Sequence, residues 1–275
     1  MTMRWIPHLC GLFLAATFAF DSQAQGPERL SIDGSTGVMP LATSLAKAFQ
    51  AQNPGVIVEL GKGLGTKARL QALAEGRIDI ALASHGLSSG DLASQQMVAH
   101  EIARMAVVLA VNATVPVAGL AEQQVCDIYA GKTLTWNVVG GPEMGIAART
   151  RPDSEVDAEV IRAGIPCMKE LRMAESVKVM PRSGDMANEL ASTAGSFGMT
   201  TMTVVEQSGG KIKPLTINGT SPSAQNVEQG VYRLARLSIL VAKAAPTPAV
   251  ARFLAFVRSP AGTQLIRENG AIPVK

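Results

Sequence analysis

Residues 28–83, ERLSIDGSTGVMPLATSLAKAFQAQNPGVIVELGKGLGTKARLQALAEGRIDIALA, alternate strand, glycine loop and helix. Glu28 to Ile32 reads as a short strand, broken by Gly34-Ser35-Thr36-Gly37. Met39 to Gln52 follows as a helix, with Leu41, Leu45, Ala48 and Phe49 spaced along one face. Pro40 falls in its first turn, where a missing N–H costs nothing, and Asn53-Pro54-Gly55 ends it. The β-branched run Val56 to Leu60 is a second strand. Gly61, Gly63 and Gly65 then lead into a helix from about Thr66 to Glu75, stopped by Gly76. Ile78 to Ala83 is a third, buried strand that ends at Ser84-His85-Gly86. This order predicts parallel strands joined by crossover helices. Such sheets bind ligands beyond the carboxyl ends of their strands, where the loops 34–37, 61–66 and 84–88 lie.

Outward from that stretch, Met105 to Val111 and Gly145 to Arg149 read as strands, with a helix from Ala121 to Tyr129 between them. Further strands are expected at Val177 to Met180, Ser196 to Thr200, Lys213 to Ile217 and Arg236 to Ala242. Helices are expected over Glu155 to Ala163, Asp185 to Ser192, Thr247 to Val257 and Gly262 to Asn269. The chain has 275 residues, 47% hydrophobic and 17% charged, enough apolar material for sizeable cores and not the composition of a disordered chain. Aromatic residues make up 4% and the net charge is +3, which disfavours base-stacking platforms and gives no argument for nucleic acid. Three cysteines and three histidines leave little scope for a metal site, and no cofactor motif is present.

Arg4, the apolar run Cys10 to Phe20 and the small residues Ser22 and Ala24 form the pattern of a cleaved signal peptide over residues 1–24. The run is too short for a membrane helix. It predicts an exported, periplasmic protein, in which Cys126 and Cys167 could form a disulfide or stay as two buried thiols.

Ser35-Thr36-Gly37 before a helix can present amides and hydroxyls to an anion, or serve as an ordinary N-cap. Gly61-Lys62-Gly63-Leu64-Gly65-Thr66 repeats that design, its glycines letting a backbone approach a ligand. It is neither a dinucleotide fingerprint nor a Walker loop, and Gly131-Lys132-Thr133 closes a helix instead of opening one. Arg151, just after a strand, can clamp an oxyanion or form an ion pair with Asp153 or Glu155. His85 stands at a strand end beside a glycine loop, in a ligand role or a structural one. Gly86-Leu87-Ser88-Ser89-Gly90 matches the nucleophile-elbow string, so a serine hydrolase using Ser88 is one alternative, although His85 and His100 lie poorly for it. Arg182-Ser183-Gly184 before a helix is a further candidate anion loop or a plain turn.

Four segments carry a family resemblance: Ile32 to Pro40; the Gly61–Thr66 loop with Gly76 to Ala81; Ile128 to Lys132 with Leu134 to Asn137; and the tail Phe253 to Val274. The chain resembles type II periplasmic solute-binding proteins, specifically the phosphate-binding component of ABC importers. The resemblance implies an α/β fold of two lobes, each a mostly parallel sheet flanked by helices, with two crossover strands as the hinge. It implies lobe 1 from residues 25–107 and 206–275 and lobe 2 from 108–205, crossing near Ala106–Val111 and Val204–Lys213. It also implies a non-catalytic monomer that holds a small anion between the lobes, needs no cofactor and delivers to a membrane permease. A sensory or interaction module of the same fold is the other alternative. Thr36 matches the family's anion-contacting threonine segment and Arg151 its clamping arginine. The expected ligand set is Ser35, Thr36, Gly37, Gly63, Leu64, Gly65, Thr66, Ser84, His85, Arg151, Asp153 and Ser154. Three places depart from the family pattern. Leu64 stands nearest a usual serine, His85 replaces an aspartate that accepts a phosphate proton, and Pro152 to Asp157 replaces a Gly-Ser-Gly-Thr run. Glu155 and Asp157 thereby add negative charge near the ligand, and phosphate carries over less well than the fold.

Overall fold

The computed structural model describes residues 1–2 and 27–274, so residues 3–24 of the expected signal peptide lie outside the described residues. Among the described residues, no helix is long and apolar enough to cross a membrane. The chain runs β1 (Glu28–Gly34), α1 (Met39–Gln52), β2 (Val56–Leu60), α2 (Thr66–Ala74), β3 (Ile80–Ala83), α3 (Ser89–Ser94) and β4 (Met97–Asn112). It continues through β5 (Gly119–Leu120), α4 (Glu122–Tyr129), β6 (Ala147–Thr150), α5 (Val156–Gly164), β7 (Lys178–Val179), α6 (Ser183–Ser192) and β8 (Ser196–Thr201). It closes with α7 (Met202–Gln207), β9 (Ile212–Pro214), β10 (Thr216–Ile217), α8 (Ala224–Glu228), β11 (Ala235–Lys243), α9 (Pro248–Arg258), α10 (Pro260–Glu268) and β12 (Ala271–Pro273).

β1 lies between β2 and β3 and pairs with both in parallel, as the opening alternation requires. Successive strand residues face opposite sides, and β3 uses both. Ile80 and Leu82 pack with Leu41, Leu45 and Phe49 of α1 and Phe253 of α9. Ala81 and Ala83 pack with Ala72 and Leu73 of α2. β11 then pairs antiparallel with β3 and β4, and β12 adds to β4.

β4 joins the two halves. Its Met97–Ala106 stretch pairs with β11, whereas Val107–Val111 pairs with β8 and Ala110–Asn112 with β9. At about 3.3 Å per residue, these 16 residues span roughly 50 Å. The first half of β4 buries few side chains and carries His100, Glu101 and Arg104. That polar stretch hides the strand from an apolar-run reading, which starts it at Met105. In the second half of the molecule, β6 pairs in parallel with β7 and β8. A second core gathers Val107 to Val111, Val125, Tyr129, Trp136, Ile161, Met186 and Phe197. Parallel strands thus build the outer part of each half, and antiparallel strands occupy the junction.

The expected return at residues 204–213 is strand only at its end, where β9 begins at Ile212. Met202–Gln207 is helix α7, with Thr203, Val204 and Val205 buried. Ile212, Leu215, Ile217, Val227, Tyr232 and Leu234 all pack in the second core. The chain rejoins the first core with β11, whose Ile239 and Leu240 belong there. Ser88 is the N-cap of α3, its Oγ accepting from the Asp91 amide. That gives the G-x-S-x-G string a structural role. Gly131-Lys132-Thr133 closes α4, with the Lys132 and Thr133 amides donating to the Asp127 carbonyl.

Cys126 of α4 and Cys167 are disulfide-bonded across 41 residues, resolving the choice between bond and free thiols. The bond ties α4 to the turn that follows α5. Closing a loop of that length restricts the unfolded chain by about 2–4 kcal/mol. Urea unfolding of the Cys126→Ser/Cys167→Ser variant is expected to show a loss in that range. An unchanged midpoint would mean the bond adds nothing to stability.

Candidate functional site

A cleft of about 330 Å3 opens between the two halves. From the first half it is lined by Gly34 to Thr36, Lys62 to Thr66, Arg69 and His85, and from the second by Ser154 to Val156 and Arg182. The glycine loops reach it through tight turns. Gly34 has φ +136°, and a Cβ there would collide with the backbone carbonyl of Leu82. Gly63 has φ +105°. Both values lie where side chains are disfavoured. Asp33 staples the two loops, its Oδ1 accepting from the Gly34 and Gly63 amides at 2.7 and 2.8 Å.

Ser35 and Thr36 do not cap α1. Its N-cap is Val38, with no side-chain cap bond. Their hydroxyls serve the space between the halves instead. Thr36 Oγ1 lies 3.4 Å from Arg151 Nη2 and accepts from the Ser183 amide at 3.4 Å. Ser35 Oγ accepts from Arg236 Nη2 at 3.4 Å. α2 likewise has Gly65 as N-cap with no side-chain cap bond and no acid in its first turn, and Gly65 and Thr66 line the cleft, which places the positive end of its dipole there.

Arg151 is 1% exposed and lies behind Thr36, outside the cleft lining itself. Its Nη1 donates to the Met180 carbonyl at 2.6 Å and its Nη2 to Glu155 Oε2 at 2.9 Å. Its Nε is buried with no protein partner. His85 lines the cleft with Nε2 3.8 Å from Glu159 Oε1, while its Nδ1 is buried and unpartnered.

Arg236 of β11 is the organising cation at the junction. It donates from Nη1 to Asp157 Oδ1 of α5 at 2.6 Å and from Nη2 to Ser84 Oγ at 2.6 Å. Both ion-pair partners are almost fully buried. A Cβ at Gly37 would run into the Arg236 guanidinium. Arg69, on the buried face of α2 with Ala72 and Leu73, is 3% exposed. It donates from Nη2 to the His85 carbonyl at 2.9 Å and leaves Nε unpartnered. Burial pushes its guanidinium below the usual range, Glu155 pulls it back up and Arg236 pushes it down again.

The structure therefore brings Ser35, Thr36, Gly63, Leu64, Gly65, Thr66, His85 and Ser154 to the cleft lining. Gly37 and Ser84 are engaged by Arg236 instead. Asp153 points away from the cleft, largely exposed and paired with Arg162. Asp157, expected to add charge beside a ligand, is consumed by Arg236. Sequence reading missed Asp33, Arg69 and Arg236. Two of them carried a signal: Arg236 stands among the apolar residues of 234–242, and Arg69 shares the helical face of Ala72 and Leu73.

The Arg236–Asp157 pair gives a direct test. Removing one member of a buried pair leaves an uncompensated charge and costs about 3–5 kcal/mol. Arg236→Leu is expected to lose that much in urea unfolding, and Arg236→Leu/Asp157→Leu to recover most of it. Equal losses in both would remove the pair as the anchor.

A profile described as a PBP superfamily domain matches residues 21–261 of this chain. The phosphate-binding protein PstS of Bacillus subtilis (strain 168) is 25% identical over 258 residues, covering 91% of this chain and 84% of that protein. Among solved structures, a substrate-binding protein from Clostridium perfringens with bound phosphate is similar with TM-score 0.74 and 24% identity, covering 90% of this chain and 100% of that one. An ABC-type phosphate transport receptor from Vibrio cholerae is similar with TM-score 0.58 and 25% identity, covering 88% and 99%.

Proposed function

As the chain belongs to the PBP superfamily, we propose that it is an exported solute-binding protein that captures a small oxyanion for ABC-type uptake. Phosphate or a related anion is the ligand class, held in the cleft lined by residues 34–36, 62–66, 69, 85, 154–156 and 182. The observation that carries this reading is the charge around the cleft. Lys62, Arg69 and Arg182 line it against one lining carboxylate, Glu155. A buried cation such as Arg69 is costly unless something anionic meets it. The uncapped amides of α2 add partial positive charge on the same side. The similar phosphate-binding and phosphate-transport proteins support the same ligand class. The signal-peptide pattern over residues 1–24 supports export, and transport supplies the permease partner.

Purified protein titrated with phosphate, sulfate and phosphonates in a thermal-unfolding assay tests the reading. A ligand at 100 times its dissociation constant should stabilise the fold by about 2.7 kcal/mol. Arg69→Gln is expected to abolish the shift, with circular dichroism confirming that the variant folds. A flat response to every oxyanion would sink the proposal.

A further inference from the structure

One carboxylate outside the cleft lining holds two of the loops that form it. Asp33, in the last turn of chain before β1 ends, accepts on Oδ1 from the Gly34 amide and from the Gly63 amide of the loop before α2. The Leu64 amide donates across the same joint to the Gly34 carbonyl at 2.8 Å. Thr36 is fixed there too, because Gly63 packs so closely that a Cβ on it would run into the Thr36 methyl. Gly61 belongs to the joint for another reason. It is not among the glycines with positive φ, so its backbone conformation does not call for glycine. A Cβ on Gly61 would collide with the Asp33 carboxylate. Room for Asp33 is the constraint that keeps residue 61 without a side chain.

The joint sorts the loop amides. Those of Gly34, Gly63 and Leu64 are spent inside it, which leaves none of the three for a ligand. The amides of Thr66 to Ala68 differ. The Arg69 amide donates to the Gly65 carbonyl as the opening bond of α2, and the amides before it have no intrahelical acceptor. Thr66 lines the cleft, three residues after Gly63. Where Asp33 holds Gly63 therefore decides where the first turn of α2 stands against the cleft. The charge of Asp33 opposes an anion nearby. What Asp33 contributes is the place of an acceptor oxygen.

We infer that Asp33 is a positioning residue for oxyanion binding. It takes up the Gly34 and Gly63 amides so that Thr36 and the first turn of α2 meet the ligand, and Gly61 leaves space for its carboxylate. This assignment rests on the oxyanion-binding reading above.

Isothermal titration with inorganic phosphate, on variants shown by circular dichroism to be folded at the temperature used, decides it. Asp33→Ala is expected to weaken phosphate roughly tenfold, the scale of a misplaced charged hydrogen bond. Asp33→Asn keeps an acceptor oxygen and loses the charge, so it is expected to bind phosphate at least as tightly as the wild type. Gly61→Ala, which displaces the carboxylate, is expected to weaken phosphate like Asp33→Ala, and to add nothing in the double variant Asp33→Ala/Gly61→Ala. A merely structural role would make the two losses add. Wild-type affinity in Asp33→Ala, or a loss in Asp33→Asn equal to that in Asp33→Ala, would overturn the inference and leave the oxyanion reading intact. Additive losses would overturn it as well. Absence of wild-type binding to phosphate, sulfate and methylphosphonate would overturn both. Should Asp33→Ala fail to fold, Asp33→Asn and Gly61→Ala decide, and unchanged affinity in Gly61→Ala would sink the inference.

Discussion

The buried guanidinium of Arg236 is the contact on which the two halves depend. It extends from β11, the strand that brings the chain back into the first core. From there it bonds Ser84 at the end of β3, Asp157 on α5 and, more loosely, Ser35 in the loop before α1. A charge at 5% exposure is tolerable because Asp157 compensates it and both Nη atoms are hydrogen-bonded, although Nε has no protein partner. Gly37 is part of the same arrangement, since any side chain there would enter the guanidinium's space. The loop Ser35-Thr36-Gly37 is thus held in register by a residue far away in sequence. Its hydroxyls are aimed by that contact and not by helix capping.

The charge balance of the cleft follows from this. Three arginines, Arg69, Arg151 and Arg236, are buried around it. Asp157 neutralises one and Glu155 a second. Arg69 has a backbone carbonyl and no carboxylate in hydrogen-bond contact. Its burial is a cost borne at the start of α2, where the helix dipole already disfavours a cation. Such an arrangement lowers the stability of the free protein, a cost that an anion in the cleft would offset. It is the behaviour expected of a residue kept for binding and not for folding.

Much of the fold was legible because the opening stretch has clean punctuation. Glycine and proline bound each apolar run, and the register of β1 against β2 and β3 follows the predicted order. Legibility failed where local pattern and tertiary role diverge. Val204-Val205, which the family resemblance put at a crossing strand, is buried in helix α7. The first half of β4 reads as polar because only part of it is covered. At the site, the hydroxyl and glycine loops were visible since their residue types suit an anion whatever surrounds them. Arg69 and Arg236 were not, because an arginine in sequence reads as solvated. Only tertiary packing shows that these two are enclosed. Asp153 was misread for the converse reason: its place two residues after Arg151 suggested the cleft, but the turn sends it outward to Arg162.

The contacts across the cleft differ in length, and that difference bears on how the halves move. Arg236 to Asp157 is short and buried, near the strands that cross between the halves. Thr36 meets Arg151 and Ser183 at 3.4–3.5 Å, at the outer limit of a hydrogen bond. The first contact is therefore costly to break and the second is cheap. A hinge needs this asymmetry: a firm pivot, and a mouth whose opening loses little. A ligand shifts such an equilibrium only by what it binds better in the closed form than in the open one. Groups that come from both halves, Arg69 and Thr66 on one side and Glu155 on the other, are the ones able to supply that difference. A solute that touches groups of both halves therefore gains from closure, and one that touches a single half does not.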